Sequence, residues 1–213
     1  KDSRFKYYHR PEEHLPGGNG ARNYGFKMSQ GEYIQWFDSD DLMSAEKIQT
    51  DLEMITSGKF DFTICQSIYF SQLNTTSQKK YWNTNLWSND PINDFITKKI
   101  GWSPNSPLWF KYSLEKNNLV FDERLRSGQD YLFHIQCLQA CLIPKVYHNT
   151  LVSIREHYNQ IKNYKVKSPS KLIIFSTLLK NASDLKLNDH TVDYLSKAYV
   201  AQYSKLLRAK ELK

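Results

Sequence analysis

Tyr33-Ile34-Gln35-Trp36-Phe37-Asp38-Ser39-Asp40-Asp41 is an apolar stretch that stops on three carboxylates. It reads as a β-strand. In extended backbone alternate side chains share a face, so Asp38 and Asp40 are expected to point one way and Ser39 the other. Two carboxylates aimed into one space repel each other. A hard divalent cation with phosphate oxygens as its other ligands relieves that repulsion, which is the chemistry of Mg2+ or Mn2+ held by one or two carboxylates. The plain alternative is a polar turn ahead of a helix, with an aspartate complementing the helix dipole.

The flanks extend the pattern on both sides. Before the strand, glycines at 17, 18 and 20 lead into Ala21-Arg22-Asn23, read as a loop entering a helix that runs to about Ser29. Backbone N–H groups at a helix start and the fork of Arg22 suit an anionic ligand such as a diphosphate. After the acidic residues, Ser44 is the expected N-cap with Glu46 in the first turn, and Ile48, Leu52 and Ile55 recur at helical spacing. Residues 60–70 then run apolar enough for a strand returning beside the first.

The stretch GGNGARNYGFKMSQGEYIQWFDSDD resembles the central signature of the family-2 glycosyltransferases of the GT-A fold, and the match is continuous over about 5–52. The resemblance implies an α/β chain with a Rossmann-like mixed sheet flanked by helices. It also implies that Asp38 and Asp40 are the Asp-x-Asp motif and that Arg22 and Asn23 lie on the donor side. A second acidic motif follows at Ser127-Gly128-Gln129-Asp130-Tyr131. There the family has Glu-Asp at a helix start; Gln129 replaces the glutamate and Asp130 remains as the catalytic base. Helix capping is the alternative role for Asp130, ahead of Ile135, Leu138 and Leu142. Near the end of the domain, Arg155-Glu156-His157 is similar to the family's closing strand, where an Arg-x-His approaches the metal and diphosphate. That assigns Arg155 to the donor and His157 to the metal or a phosphate.

In the family the nucleotide-binding half begins with a strand, a helix and an acidic loop that have no counterpart here, so the expectation is a GT-A domain truncated at its N-terminus, with little or no activity as it stands. The chain instead opens with residues 4–9, read as a short aromatic strand. Residues 72–93 lack periodicity and read as a long loop in which Trp82 and Trp87 are candidates for acceptor contact. A short helix is expected over 91–98, and two short strands over 143–148 and 151–156 with an Asn-Thr turn between them. Residues 1–160 form the expected catalytic domain and 161–213 a C-terminal helical extension. In the extension Val192, Leu195, Tyr199, Tyr203 and Leu206 make a stripe flanked by lysines. Such a stripe packs on the domain or on a second copy of the chain, as a homodimer, or settles on an anionic membrane.

A formal net charge of +7 favours anionic partners, among them nucleotide diphosphates, anionic lipid surfaces and nucleic acid. Cys65, Cys137 and Cys141 form no C-x-x-C pair and read as buried thiols of a reducing compartment. With no secretory signal and no long apolar span, the expected location is cytoplasmic, at most at the inner face of a membrane. The leading reading is an inverting transfer from a nucleotide-sugar, a UDP-sugar above others, to a carbohydrate or lipid-linked acceptor. Two rivals differ in class. A nucleotidyltransferase also places metal-binding aspartates on such a sheet but brings a Gly-rich basic phosphate loop, which is not seen. A nucleic-acid-binding module uses lysines and stacking rings, but the positive residues are dispersed and no nucleic-acid motif is present.

Overall fold

The computed structural model describes residues 2–71, 80–156 and 164–211. Its spine is β3 (Phe62–Phe70), paired in parallel with β6 (Pro144–Arg155). Strand β3 is covered on both faces, so successive residues are buried rather than alternate ones: Phe62, Ile64 and Cys65 are fully inaccessible, and the buried polar Thr63 and Ser67 are hydrogen-bonded. On one side β5 (Trp109–Phe110) and then β1 (Tyr33–Ile34) add antiparallel; on the other, β2 (Leu42–Met43) runs antiparallel to β6. The order is β1-β5-β3-β6-β2, with β4 (Lys80–Tyr81) on the far end of β3. This is the expected mixed sheet.

The helices are α1 (Gly18–Met28), α2 (Lys47–Thr56), α3 (Pro91–Ile96), α4 (Lys111–Lys116), α5 (Gln129–Gln139), α6 (Tyr164–Lys180) and α7 (Asp189–Glu211). An aromatic core joins them to the sheet. Phe121 stacks on Phe133 at 4.3 Å between ring centroids, Phe62 on Trp109 at 4.5 Å, and Trp36 meets Phe121 and Phe133 edge-on. Aromatic pairs in these arrangements add about 0.5–1.5 kcal/mol each beyond the area they bury. Ile174 and Leu178 of α6 and Leu195 of α7 are buried in the same cluster. The helical hairpin therefore packs on the sheet domain, while Tyr203 of the predicted stripe stays exposed.

Several expectations need correction. Residues 4–9 form no strand: Phe5 and Tyr7 are exposed, and Tyr8 meets Tyr24 of α1 edge-on instead of pairing with the sheet. The two strands expected over 143–156 are one strand, β6. The residues read as a turn are taken up as irregularities where Ile64 faces Val146 but Gln66 faces Thr150. Helix α2 starts at Lys47, with Ser44 contributing a turn carbonyl to the Lys47 N–H rather than a cap. Cys141 lies past the end of α5 in a left-handed conformation and is exposed, so only Cys65 and Cys137 are buried.

Candidate active site

The acidic residues sit on a turn, not on an extended strand. β1 ends at Ile34, the Trp36 ring turns into the core, and the chain closes at Asp38–Asp41 with the Asp41 N–H donating to the Asp38 carbonyl at 3.3 Å. Alternation along a strand therefore does not set the directions of Asp38 and Asp40. The turn is held from two sides. Asn105 donates to an Asp41 carboxylate oxygen at 2.5 Å, and the Arg155 backbone N–H donates to the other at 2.8 Å. Burial pushes the Asp41 carboxyl above its ordinary pKa; the bonds from Arg155 and Asn105 oppose this, and neighbouring Asp40 and Asp38 reinforce it. Asp40 is exposed, and its carbonyl accepts from Arg155 Nε at 2.8 Å. The Arg155 guanidinium lies over the Phe70 ring.

Arg22 reaches the turn from α1. Its Nη2 donates to Asp38 Oδ1 at 2.8 Å, its Nη1 stands 3.8 Å from Asp130 Oδ1, and its guanidinium lies over Phe121. Asn19 and Asn23 fix the helix that carries it. Asn19 donates to the carbonyls of Asp122 and Leu125; Asn23 donates to the Phe121 carbonyl and the Glu123 carboxylate and accepts from the Phe121 N–H. With its amide so engaged, Asn23 positions α1 rather than facing a ligand.

Asp130 lies in the first turn of α5, after Gly128 in the left-handed region at φ 74°. A Cβ at Gly128 would also come within 2.9 Å of Ile174. Asp130 Oδ1 is buried without a hydrogen-bond partner, as is Arg22 Nη1. Burial raises the Asp130 pKa, Arg22 opposes that, and Asp38 adds to it. Gln129, in the place of the expected glutamate, has a buried carbonyl oxygen with no partner. Asp130 lines a cavity of about 410 Å3 together with Trp82, Lys98, Trp102, Tyr131 and His134. Arg22 lines a separate cleft of about 500 Å3 with Phe26, Tyr33, Trp36 and Phe37. The Arg22–Asp130 contact thus stands between two hollows.

The structure brings Arg22, Asp38 and Asp130 together and places Arg155 behind the acidic turn. His157 lies outside the described residues. Among the described residues no group of three or more His, Cys, Asp or Glu side chains converges to hold a metal ion. Two residues escaped the sequence reading. Asp41 was legible only as a third carboxylate, and Asn105 only as one residue of 101–112, a stretch similar to the family's acceptor-side strand, of which Trp109–Phe110 is the strand.

The pattern that defines Glycosyl transferase family 2 matches residues 1–115. The chain belongs to that family. Asp130 lies beyond the matched stretch. An uncharacterized glycosyltransferase of Rickettsia conorii is 41% identical over 204 residues, covering 92% of this chain and 30% of that one. The minor teichoic acid biosynthesis protein GgaB of Bacillus subtilis is 27% identical over 150 residues, covering 70% of this chain and 15% of that one. The family-2 chain thus spans under a third of the length of these curated relatives. Among solved structures, S. aureus TarS (residues 1–349, in complex with UDP-GlcNAc) superposes with a TM-score of 0.58 at 16% identity, over 88% of this chain and 53% of that one. The fold is the expected GT-A type. No described helix of the family-2 chain is long and apolar enough to cross a membrane.

Proposed function

We propose that this chain forms the catalytic face of an inverting glycosyltransferase, which moves a sugar from a nucleotide-diphosphate-sugar to an acceptor hydroxyl in bacterial surface polysaccharide or glycolipid synthesis. The observation that carries the reading is the position of Arg22, bonded to Asp38 on one side and 3.8 Å from Asp130 on the other. One guanidinium marks where a phosphate-binding turn and a proton acceptor meet.

Asp38 and Asp40 offer hard carboxylate oxygens on one turn, a donor set that fits Mg2+ or Mn2+ sharing its other positions with phosphate and water. Such an ion, when bound, stabilises the charge that develops on the departing diphosphate. Arg22 supplies a fork for a diphosphate oxygen, and Arg155 steadies the turn from behind. Asp130 takes the proton of the acceptor hydroxyl while that oxygen attacks the anomeric carbon, and the bond from that carbon to the diphosphate breaks on the opposite face. Burial strengthens Asp130 as a base, and Arg22 keeps it ionised.

UDP as the nucleotide is supported by TarS, seen with UDP-GlcNAc. A polymer acceptor is supported by GgaB, named for teichoic acid synthesis. The acceptor would enter the cavity beside Asp130, where the exposed Trp82 offers a ring to a sugar. A lipid-linked acceptor would place the protein at the inner face of a membrane, with the exposed Val200, Tyr203 and Leu207 of α7 turned toward it. Family membership favours this reading over a nucleotidyltransferase or a nucleic-acid-binding module. A panel of nucleotide-sugars assayed for binding and hydrolysis with Mn2+, on the full-length protein, tests it. Chelator-sensitive binding of UDP-sugars is the expected result; salt-sensitive oligonucleotide binding without UDP binding would overturn it.

A further inference from the structure

Behind the acidic turn lies a loop, residues 103–106, that is polar and yet almost fully inaccessible: Ser103, Asn105 and Ser106 are each 0–1% exposed. Buried polar groups persist only when they are hydrogen-bonded, and here the bonds tie the loop to the central strand. Ser103 Oγ meets Ser67 Oγ at 2.7 Å; Ser106 Oγ donates to the Cys65 carbonyl and accepts from the Cys65 N–H. Buried Lys47 donates to the Ser106 carbonyl and to Gln35, whose amide in turn donates to the Asn105 carbonyl. The Asn105 backbone is therefore fixed before its side chain is considered.

That side chain reaches both ends of the acidic turn. Its Oδ1 accepts from the Asp38 backbone N–H at 3.1 Å, and its Nδ2 donates to Asp41 Oδ2 at 2.5 Å. An amide suits this position, because it accepts from the donor at one end of the turn with its oxygen and donates to the carboxylate at the other with its nitrogen. Neither bond uses the Asp38 carboxylate.

We infer that Asn105 is a positioning residue for donor binding: it clamps the turn at Asp38 and Asp41 so that the carboxylates of Asp38 and Asp40 are presented together to the metal-bound diphosphate. This rests on the donor-site reading of the turn given above. The clamp organises the site before the ligand arrives, and loss of such preorganisation appears as weaker binding.

Titration calorimetry of UDP in the presence of Mn2+ tests the inference on the full-length protein, with wild type, Asp40→Asn, Asn105→Ala and Asn105→Asp. The aspartate variant keeps the shape of the side chain and the acceptor for the Asp38 N–H, but sets a carboxylate against Asp41, so it serves where the cavity left by alanine prevents folding. In both Asn105 variants the dissociation constant is expected to rise about tenfold or more, with the number of sites per chain unchanged. A merely structural role would lower the fraction of competent protein, and hence the number of sites, while leaving the constant within about twofold of wild type; that result overturns the inference. If Asp40→Asn weakens binding and the Asn105 variants do not, the clamp is wrong and the donor site stands. If wild type fails to bind, or Asp40→Asn binds as wild type does, the donor-site reading falls and the inference with it.

Discussion

Arg22 Nη1 and Asp130 Oδ1 face each other at 3.8 Å, both buried and neither with a hydrogen-bond partner. Leaving a buried polar group unsatisfied costs about 1–3 kcal/mol, more when it is charged. Two such atoms set opposite one another, with a hollow on either side, make a place where a ligand oxygen or hydroxyl gains more than it would on an open surface.

Replacing Arg22 by Gln removes a fork for the diphosphate and the positive charge between Asp38 and Asp130. Nucleotide affinity should fall by about tenfold or more, the loss of one charge-assisted contact of roughly 1.5–3 kcal/mol. The pH dependence should move as well. Burial already holds the Asp130 pKa above the ordinary carboxylate value, and Arg22 pulls it back. A base works deprotonated, so the acidic limb of kcat/KM, which reports the free enzyme, should lie above the usual carboxylate range and move further up in Arg22→Gln. A limb that moves down contradicts the assignment of Asp130.

His134 lies in the core among Phe95, Trp102 and Trp109, and burial lowers its pKa from 6.5 to about 3. The unfolded chain binds its proton below pH 6.5 while the folded chain does not. Stability should therefore fall as pH drops through that window, by up to about 1.4 kcal/mol per pH unit from this one group. Urea denaturation from pH 7 down to pH 4 measures it. His134→Gln should have a slope shallower by one proton; an unchanged slope would assign the acid sensitivity elsewhere.

Lys47 and Asp51 form an ion pair with no exposed surface, and Asp51 also accepts from Thr63 and Tyr147. Lys47→Met strands a buried carboxylate and should destabilise the fold by about 3–5 kcal/mol. Adding Asp51→Leu should recover only part of this, because the Thr63 and Tyr147 hydroxyls then lose their acceptor. Chemical denaturation of the single and double variants checks the order; a double variant less stable than Lys47→Met would contradict it.

The parts of this protein legible in its sequence are those carried by local pattern. Apolar runs mark β3 and β6, helical spacing marks α2 and α5, and the approach to Asp38 carries the family. What could not be read depends on contacts distant in sequence. Strand alternation failed at Asp38 and Asp40 because Trp36 turns inward to meet Phe121 and Phe133, ending the strand early. Residues 143–156 read as two strands because Asn149-Thr150 favours a turn, whereas pairing with β3 takes up the extra residues without one. The clamp at Asn105 joins positions 64 to 67 residues apart, and no spacing rule reaches that far. Arg22, by contrast, shares one contiguous signature with Asp38 and bonds to it.

Asp130→Asn tests the central claim most directly, because it removes the proton acceptor while preserving the shape of the side chain at the start of α5. Glycosyl transfer and Mn2+-dependent UDP binding should be measured on the same preparations of the full-length protein. Transfer should drop by about a hundredfold to ten-thousandfold, the contribution of a positioned base, with UDP affinity within about twofold of wild type. Transfer at the wild-type rate would contradict the account.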